Sequence, residues 1–340
     1  MRPVIAFFDI RPGDKPHFEH ALEDSGADIR FFHEPLQEVD LSELKDVNII
    51  STHVSSRIDH ETIRSLPALK HIACRSTGFD HVDLETAKSR GISVSYIPNY
   101  GQNTVAEYAF TLMLALTRKL IPTLEAARDG QIDPVALTGR DLGGKTLGVV
   151  GAGRIGYHVI KIANGFEMKV IAYDPYPNEK MQAELGYKYV ELKELLEHSD
   201  IITLHAPATK ENQHLIDFDT LKLMKKSALL VNTARGDLID TKALIAALTE
   251  NKIGGAALDV VEGEALLDFE SELHLLNPHT SKKDYQSAVD LEILEKLPNA
   301  ILTCHNAYNS QEALTRIRQC TFENIQAYLS GHPQSLVPEN

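Results

Sequence analysis

Along the first hundred residues, short β-rich runs alternate with polar stretches that carry apolar residues at helical spacing. Val4–Ile10, Asp28–Phe32, Val47–Ser51, His71–Arg75 and Ile92–Tyr96 read as strands, with Phe18–Leu22, Thr62–Leu66 and Leu84–Lys88 as helical pieces between them. Gly26 and Gly91 sit where a helix would stop before the next strand. This alternation predicts a parallel sheet with helical crossovers. Thr104 and Glu107 then form a T-x-x-E capping box ahead of apolar Val105, Ala109, Phe110, Leu112, Met113 and Leu116, so a long helix is expected to start at Thr104. Its apolar positions cover more than one face, which predicts contact with two bodies, either both domains or one domain and a partner chain.

After the polar, Gly-rich stretch Thr138–Gly144, six further strands are predicted: Thr146–Val150, Lys169–Tyr173, Ile201–His205, Ala228–Asn232, Gly255–Val260 and Ala300–Cys304. The helical patterns Ile155–Asn164, Leu192–Glu197, Phe218–Met224 and Lys242–Leu248 fall between them, the layout of a doubly wound nucleotide-binding domain. Gln311–Leu329 reads as a final helix, with Ser310 as N-cap and Gly331 as stop, returning to the first domain. Gly263–Ser287 is irregular and mixed in charge, long for a connection.

Composition narrows the function. A chain of 340 residues favours two domains, and 43% hydrophobic with 24% charged residues is ordinary for a globular protein. The net charge of -14 argues against nucleic acid or an anionic membrane as partner, so an anionic substrate must meet locally placed cations. Apolar runs such as Val4–Phe8 and Leu112–Leu116 are far short of a membrane span, and the N-terminal run is too short for a secretory signal, which makes the cytoplasm the expected compartment. Cys74, Cys304 and Cys320 lack metal or redox spacing, and the His17/His20 and His53/His60 pairs lack further ligands, so no metal is predicted.

The strongest local pattern is Gly151-Ala152-Gly153-Arg154-Ile155-Gly156, directly after one strand candidate and opening a helical run. Gly151 permits a tight turn, Gly153 lets the backbone approach a pyrophosphate, and Gly156 lets the helix pack closely on the strand. Free N–H groups and the positive end of the helix dipole then face the phosphates. Asp174 closes the next strand, where an acid can accept hydrogen bonds from the adenosine ribose. A 2′-phosphate would be repelled there, and Pro175-Tyr176-Pro177-Asn178-Glu179 offers no compensating arginine, so NAD is expected rather than NADP.

Arg235, Glu264 and His305 lie at or just beyond the ends of the later strands, where an open parallel sheet forms its ligand crevice. Hydride transfer to a ketone needs a proton donor, which an imidazolium supplies near neutral pH. A carboxylate raises the pKa of that imidazole, and a guanidinium pairs with a substrate carboxylate. Cys304 beside His305 does not make a nucleophile–base pair, because strand neighbours point to opposite faces.

Together with Arg75-Ser76-Thr77-Gly78-Phe79-Asp80, Asn103-Thr104-Val105-Ala106-Glu107, Leu204-His205-Ala206-Pro207, Asn232-Thr233-Ala234-Arg235-Gly236 and Ala257-Leu258-Asp259-Val260, these residues resemble the D-isomer-specific 2-hydroxyacid dehydrogenase family over nearly the whole chain. The layout is most similar to the D-lactate dehydrogenase branch, with Tyr100 before the long helix and Asp174-Pro175-Tyr176-Pro177 after the second strand of the later series. The resemblance implies an α/β protein of two doubly wound parallel-sheet domains: a Rossmann NAD-binding domain, 103–308, inserted into a flavodoxin-like substrate domain, 1–102 and 309–340. It implies that Arg235 binds substrate, Glu264 supports the acid/base and His305 exchanges the proton. Backbone N–H groups near Thr77 and Gly78 would hold the substrate carboxylate, with Tyr100 and Tyr308 bordering the pocket. Gly151, Gly153, Arg154, Ile155, Gly156, Asp174, His205, Ala206, Pro207, Asn212, Thr233, Ala234 and Asp259 would line the NAD site, and the assembly would be a homodimer. The stretch between Glu264 and His305 is longer than D-lactate enzymes usually carry. The same machinery therefore leaves phosphoglycerate, hydroxypyruvate, glyoxylate or phosphite open as substrates, and an NAD(H)-sensing co-repressor open as a non-enzymatic role.

Overall fold

The computed structural model describes residues 2–262 and 282–338. The chain forms two compact units, one from Met1–Tyr100 with Ser310–Asn340 and one from Gly101–Asn309.

In the first unit, β1 (Val4–Phe7), β2 (Asp28–Phe31), β3 (Ile49–Thr52), β4 (His71–Cys74) and β5 (Ser93–Ser95) form a sheet in the order β2-β1-β3-β4-β5. Every pairing is parallel. This is the flavodoxin-like order, whose direction reverses between β1 and β3. Strand side chains alternate between faces, so β4 sends Ile72 and Cys74 into one apolar layer with Ala6, Phe8 and Ile50. Ala73 goes to the opposite layer with Ile5, Phe7, Phe18 and Ile49. Burial on both faces is why these strands read as apolar runs rather than as alternation. The final helix, Gln311–Leu329, belongs to this unit, with Ser310 accepting from Ala313 N as its N-cap.

The second unit carries β6 (Thr146–Val150), β7 (Lys169–Tyr173), β8 (Lys188–Tyr189), β9 (Ile201–Leu204), β10 (Leu229–Asn232), β11 (Gly255–Leu258) and β12 (Ala300–Leu302). Their order is β12-β11-β10-β9-β6-β7-β8, all parallel. Counted from β6, this is the Rossmann order 3-2-1-4-5-6 with a seventh strand at the edge, and its switch point lies between β6 and β9. One apolar layer gathers Val150, Ile202, Leu204, Leu230 and Leu258; the other gathers Val149, Ile201, Val231 and Ala257 with Phe110 and Met113.

Several local expectations are corrected. Seven strands form instead of six, because β8 is only two residues long and has no hydrophobic run to announce it. The long helix spans Gln102–Thr117 with Gly101 as N-cap and no side-chain cap, so Thr104 lies inside the first turn and the capping box does not form. A further helix, Leu120–Asp129, follows at once, its Leu120, Ile121 and Leu124 exposed. Most of the irregular stretch Gly263–Ser287 lies outside the described residues, but its end is helical, within Lys282–Lys296. No described helix is long and apolar enough to cross a membrane, and no group of three or more His, Cys, Asp or Glu among the described residues could hold a metal ion.

Among the buried polar groups, His71 is fully enclosed in the first unit. Its ring nitrogens meet Ser93 Oγ at 2.8 Å and Ser95 Oγ at 3.0 Å, and its ring stacks on Tyr328 at 4.3 Å. Burial disfavours the imidazolium and pushes the pKa from 6.5 down to about 4. The unfolded chain takes up a proton at this position between those values while the folded one does not, so His71 costs stability as pH falls from 6.5 towards 4. Imidazole NMR titration should leave His71 neutral until about pH 4; a midpoint near 6.5 would contradict its enclosure.

Candidate active site

In the second unit the expected site residues gather at the carboxyl ends of the strands. β6 ends at Val150, and the chain turns through Gly151 at φ 91°, a left-handed conformation that glycine adopts without strain. A Cβ there would lie 2.7 Å from both Ala206 N and His205 C, so the turn sits directly against the backbone leaving β9 across the switch point. Gly153 is the N-cap of helix Arg154–Gly165, and a Cβ at Gly153 would meet nothing within 4 Å, leaving that side open. A Cβ on Gly156 would come within 2.4 Å of Gly151 O, so only glycine lets the first turn of the helix close onto the loop. The result is an open backbone cradle at a helix N-terminus, suited to a pyrophosphate. It adjoins a groove of about 480 Å³ lined by residues including Arg154, Tyr157, His158, Asn178 and Lys180.

Asp174, just past β7, accepts from Ala152 N through Oδ2 and from Tyr176 N through Oδ1, both at 2.9 Å. The acid is thereby tied to the glycine loop itself. On the other side of the switch point, Asn212 closes the loop after β9 by donating to Pro207 O and accepting from Thr209 N, each at 2.7 Å. His205 contacts Thr203 Oγ1 through Nε2 at 2.9 Å, while its buried Nδ1 has no partner. Thr233 Oγ1, at the end of β10, is buried and unpartnered as well. Buried polar atoms are seldom left unsatisfied, and two of them at the carboxyl ends of β9 and β10, on the sheet edge that also carries the glycine cradle, fit a bound polar ligand such as a dinucleotide.

Arg235 follows β10. Asn232, buried at the strand end, accepts from Ala234 N at 3.0 Å and donates to Arg235 O at 2.8 Å, fixing the backbone on either side of the arginine. A Cβ on Gly236 would fall 2.2 Å from Val261 C, so the Arg235 turn lies hard against the backbone that leaves β11. Glu264 lies outside the described residues.

His305 has φ 49°, uncommon for a residue with a side chain. Asp259, fully buried after β11, holds it there. Asp259 O accepts from His305 N at 2.9 Å, Oδ1 from Asn306 N at 2.9 Å and from Thr303 Oγ1 at 2.5 Å, and Oδ2 from Ala307 N at 2.8 Å. The N–H groups of His305, Asn306 and Ala307 are all matched by Asp259, and this offsets the strain of the left-handed residue. The Tyr308 ring stands edge-on to His305, centroids 6.3 Å apart. Cys304 is exposed beside it. Burial pushes His205 down to about 3, so it is a neutral imidazole at ordinary pH and cannot serve as a second acid.

The first unit places Thr77 and Gly78 just beyond the end of β4. Thr77 Oγ1 donates to Ile97 O at 2.7 Å, Ser76 Oγ to Gly78 O at 2.6 Å, and Ile97 N to Ser76 O at 2.9 Å. Beneath this turn the buried Arg75 guanidinium donates to Ser51 O, Phe8 O and Asp9 O. Tyr100 O accepts from Arg316 Nε. Asn232, Thr303 and Arg75 were not among the expected site residues. Asn232 and Arg75 act on backbone and Thr303 on the Asp259 carboxylate, and only the turn-forming character of Asn232 after a strand hints at its role.

The family model for the NAD-binding domain of the D-isomer specific 2-hydroxyacid dehydrogenases matches residues 110–307. A D-lactate dehydrogenase of Escherichia coli is 35% identical over 337 residues, 98% of this chain and 99% of its own. A glyoxylate reductase of Korarchaeum cryptofilum is 35% identical over 89% of this chain and 86% of its own. Among solved structures, the D-lactate dehydrogenase of Aquifex aeolicus complexed with NAD and lactic acid superposes with a TM-score of 0.87 at 35% identity, covering 96% of both chains. The glycine cradle, the Rossmann strand order and these likenesses agree: the chain belongs to the D-isomer specific 2-hydroxyacid dehydrogenase family and is an NAD-dependent oxidoreductase.

Proposed function

We propose that the enzyme interconverts a small 2-keto acid and its D-2-hydroxy acid, in the manner of a D-lactate dehydrogenase, with His305 as the acid/base. The observation that carries this reading is the Asp259-held turn, which fixes His305 at the carboxyl edge of the sheet that also bears the glycine cradle. Burial disfavours the imidazolium of His205, which favours His305 as the proton carrier among the strand-end histidines of the second unit.

NADH, when bound, supplies the hydride. His305 then gives its proton to the carbonyl oxygen of the substrate, and Glu264 keeps the imidazole charged and oriented. In the second unit Arg235 pairs with the substrate carboxylate and Tyr308 borders its pocket; in the first unit the backbone N–H groups of Thr77 and Gly78 and the Tyr100 side chain are the substrate contacts of this reading. Gly151, Gly153, Arg154, Ile155 and Gly156 hold the pyrophosphate, and Asp174 reads the ribose. His205, Ala206, Pro207, Asn212, Thr233 and Ala234 line the rest of the cofactor site. Asp259, with both carboxylate oxygens engaged, serves the site through the 303–307 backbone. On this reading the first unit is the substrate domain and the second the NAD domain. The exposed Leu120, Ile121, Leu124, Ile132 and Val135 support a homodimer.

The glyoxylate reductase relative supports a second reading, glyoxylate or hydroxypyruvate as substrate with the same residues in the same roles. NADH oxidation across a panel of 2-keto acids separates the two, and binding without turnover on any of them would favour an NAD(H) sensor. His305→Gln should cut turnover by roughly 10²–10⁴-fold with NADH affinity retained; lost NADH affinity with normal turnover would contradict the assignment. Asp174→Ala should relax the preference for NADH over NADPH in binding, and an unchanged ratio would show that the acid does not read the ribose.

A further inference from the structure

His214 sits in the loop after β9, two residues beyond Asn212, and takes no part in the chemistry above. Its backbone is left-handed, with φ 53°. It makes two long-range links. Its N–H donates to Asp237 O at 2.8 Å, inside the short turn that follows Arg235. Its Nε2 meets Glu262 Oε1 at 2.7 Å, just past β11. The other carboxylate oxygen, Oε2, accepts from Thr241 N at 3.3 Å, where that same turn runs into helix Thr241–Thr249.

The backbone ladder beside these links is continuous. Ile216 N donates to Leu238 O at 3.0 Å, and Asp240 N donates to Ile216 O at 2.8 Å. Gly236 lies against Val261 and Glu262 so closely that a Cβ would be 2.6 Å from Glu262 N. The segment 235–241 is therefore held at Asp237 by the His214 backbone and at Thr241 by the Glu262 carboxylate, and the His214–Glu262 pair ties together the loop that carries Asn212, the end of the turn that follows Arg235 and the chain leaving β11. The charged groups facing the imidazole are Glu262, Asp240 and Asp237, all acidic.

We propose that His214 is a positioning residue for substrate binding: its link to Glu262 holds the Arg235 turn against the end of β11, and loss of its proton loosens that hold. The proposal rests on Arg235 as the carboxylate-binding residue. Hydrogen bonding to Glu262 raises the His214 pKa above 6.5; for Glu262 burial is the largest single influence and pushes upward, but the His214 bond and charge together with the bonds from Thr241 outweigh it and lower its pKa below 4.5. The ionised pair is complete below pH 6.5 and is lost as pH rises through the raised histidine value; on the acid side it is lost as pH falls through the lowered value of Glu262.

His214→Asn tests this, because asparagine tolerates the left-handed backbone but is too short to put a nitrogen at the Nε2 position. Glu262→Gln removes the charge from the other end. In the ligand-free protein, amide exchange at Asp240 and Thr241 should accelerate on the order of tenfold in His214→Asn, with the amides of β6 and β7 unchanged. KM for the keto acid should rise by a similar factor, with kcat changed less than about threefold and NADH affinity intact, since Arg235 binds substrate and transition state alike. The alkaline rise in KM expected of the parent enzyme should disappear in both variants, and the double variant should be no worse than either single one. Unaltered exchange at Thr241, or a parental KM and pH profile in His214→Asn, would overturn the proposal. If Arg235→Gln itself leaves KM unchanged, the reading of Arg235 fails instead, whatever the exchange experiment shows.

Discussion

A single buried carboxylate gives the candidate site its form. Asp259 leaves β11 with no exposure to solvent and accepts from three backbone N–H groups and one hydroxyl of the segment 303–307, counting its own carbonyl as one acceptor. Unmatched, each of those N–H groups would cost about 1–3 kcal/mol. Matched, they hold His305 in a backbone conformation that its side chain would not otherwise favour. The imidazole is thus presented from a rigid turn at the end of a central parallel sheet, rather than from a loose loop.

Around that turn the parallel sheet imposes the rest. Strands that all run the same way must return through crossovers, so their carboxyl ends share one edge, and the loops there are free to carry chemistry. The glycine cradle after β6, the Asn212 loop after β9, the Arg235 turn after β10 and Asp259 after β11 all use this edge. Close backbone approach links them. Gly151 lies on the chain leaving β9, and Gly236 on the chain leaving β11, so neighbouring loops brace one another without intervening side chains. The two orphaned polar atoms, His205 Nδ1 and Thr233 Oγ1, are where this bracing stops and a ligand would begin.

Much of the architecture was legible because both sheets are buried on both faces. β6 and β7 match their predicted bounds, and the other predicted strands differ by a few residues at their ends. What escaped was short or capped by tertiary contact. β8 has two residues, and the long helix begins at Gln102 because Gly101 takes the N-cap that Thr104 was expected to fill. The motif residues of the cradle and of the Arg235 turn could be singled out because their neighbours in sequence are their neighbours in space. The contacts that order the site could not. Asp259 reaches Asn306 and Ala307 across 47 and 48 positions, and His214 reaches Glu262 across 48, distances at which no local spacing carries a signal. Asp259 could be named from the motif around it, but its attachment to the His305 turn follows only from how β11 and β12 lie side by side.

The most direct test of the central claim is turnover of Asp259→Asn with saturating NADH and keto acid. The amide keeps the size of the side chain but sets an N–H group against backbone donors, so the His305 turn loses its match. The account predicts a folded protein whose kcat falls by about tenfold or more. A folded variant that turns over at the parental rate would show that the carboxylate does not govern the placement of His305.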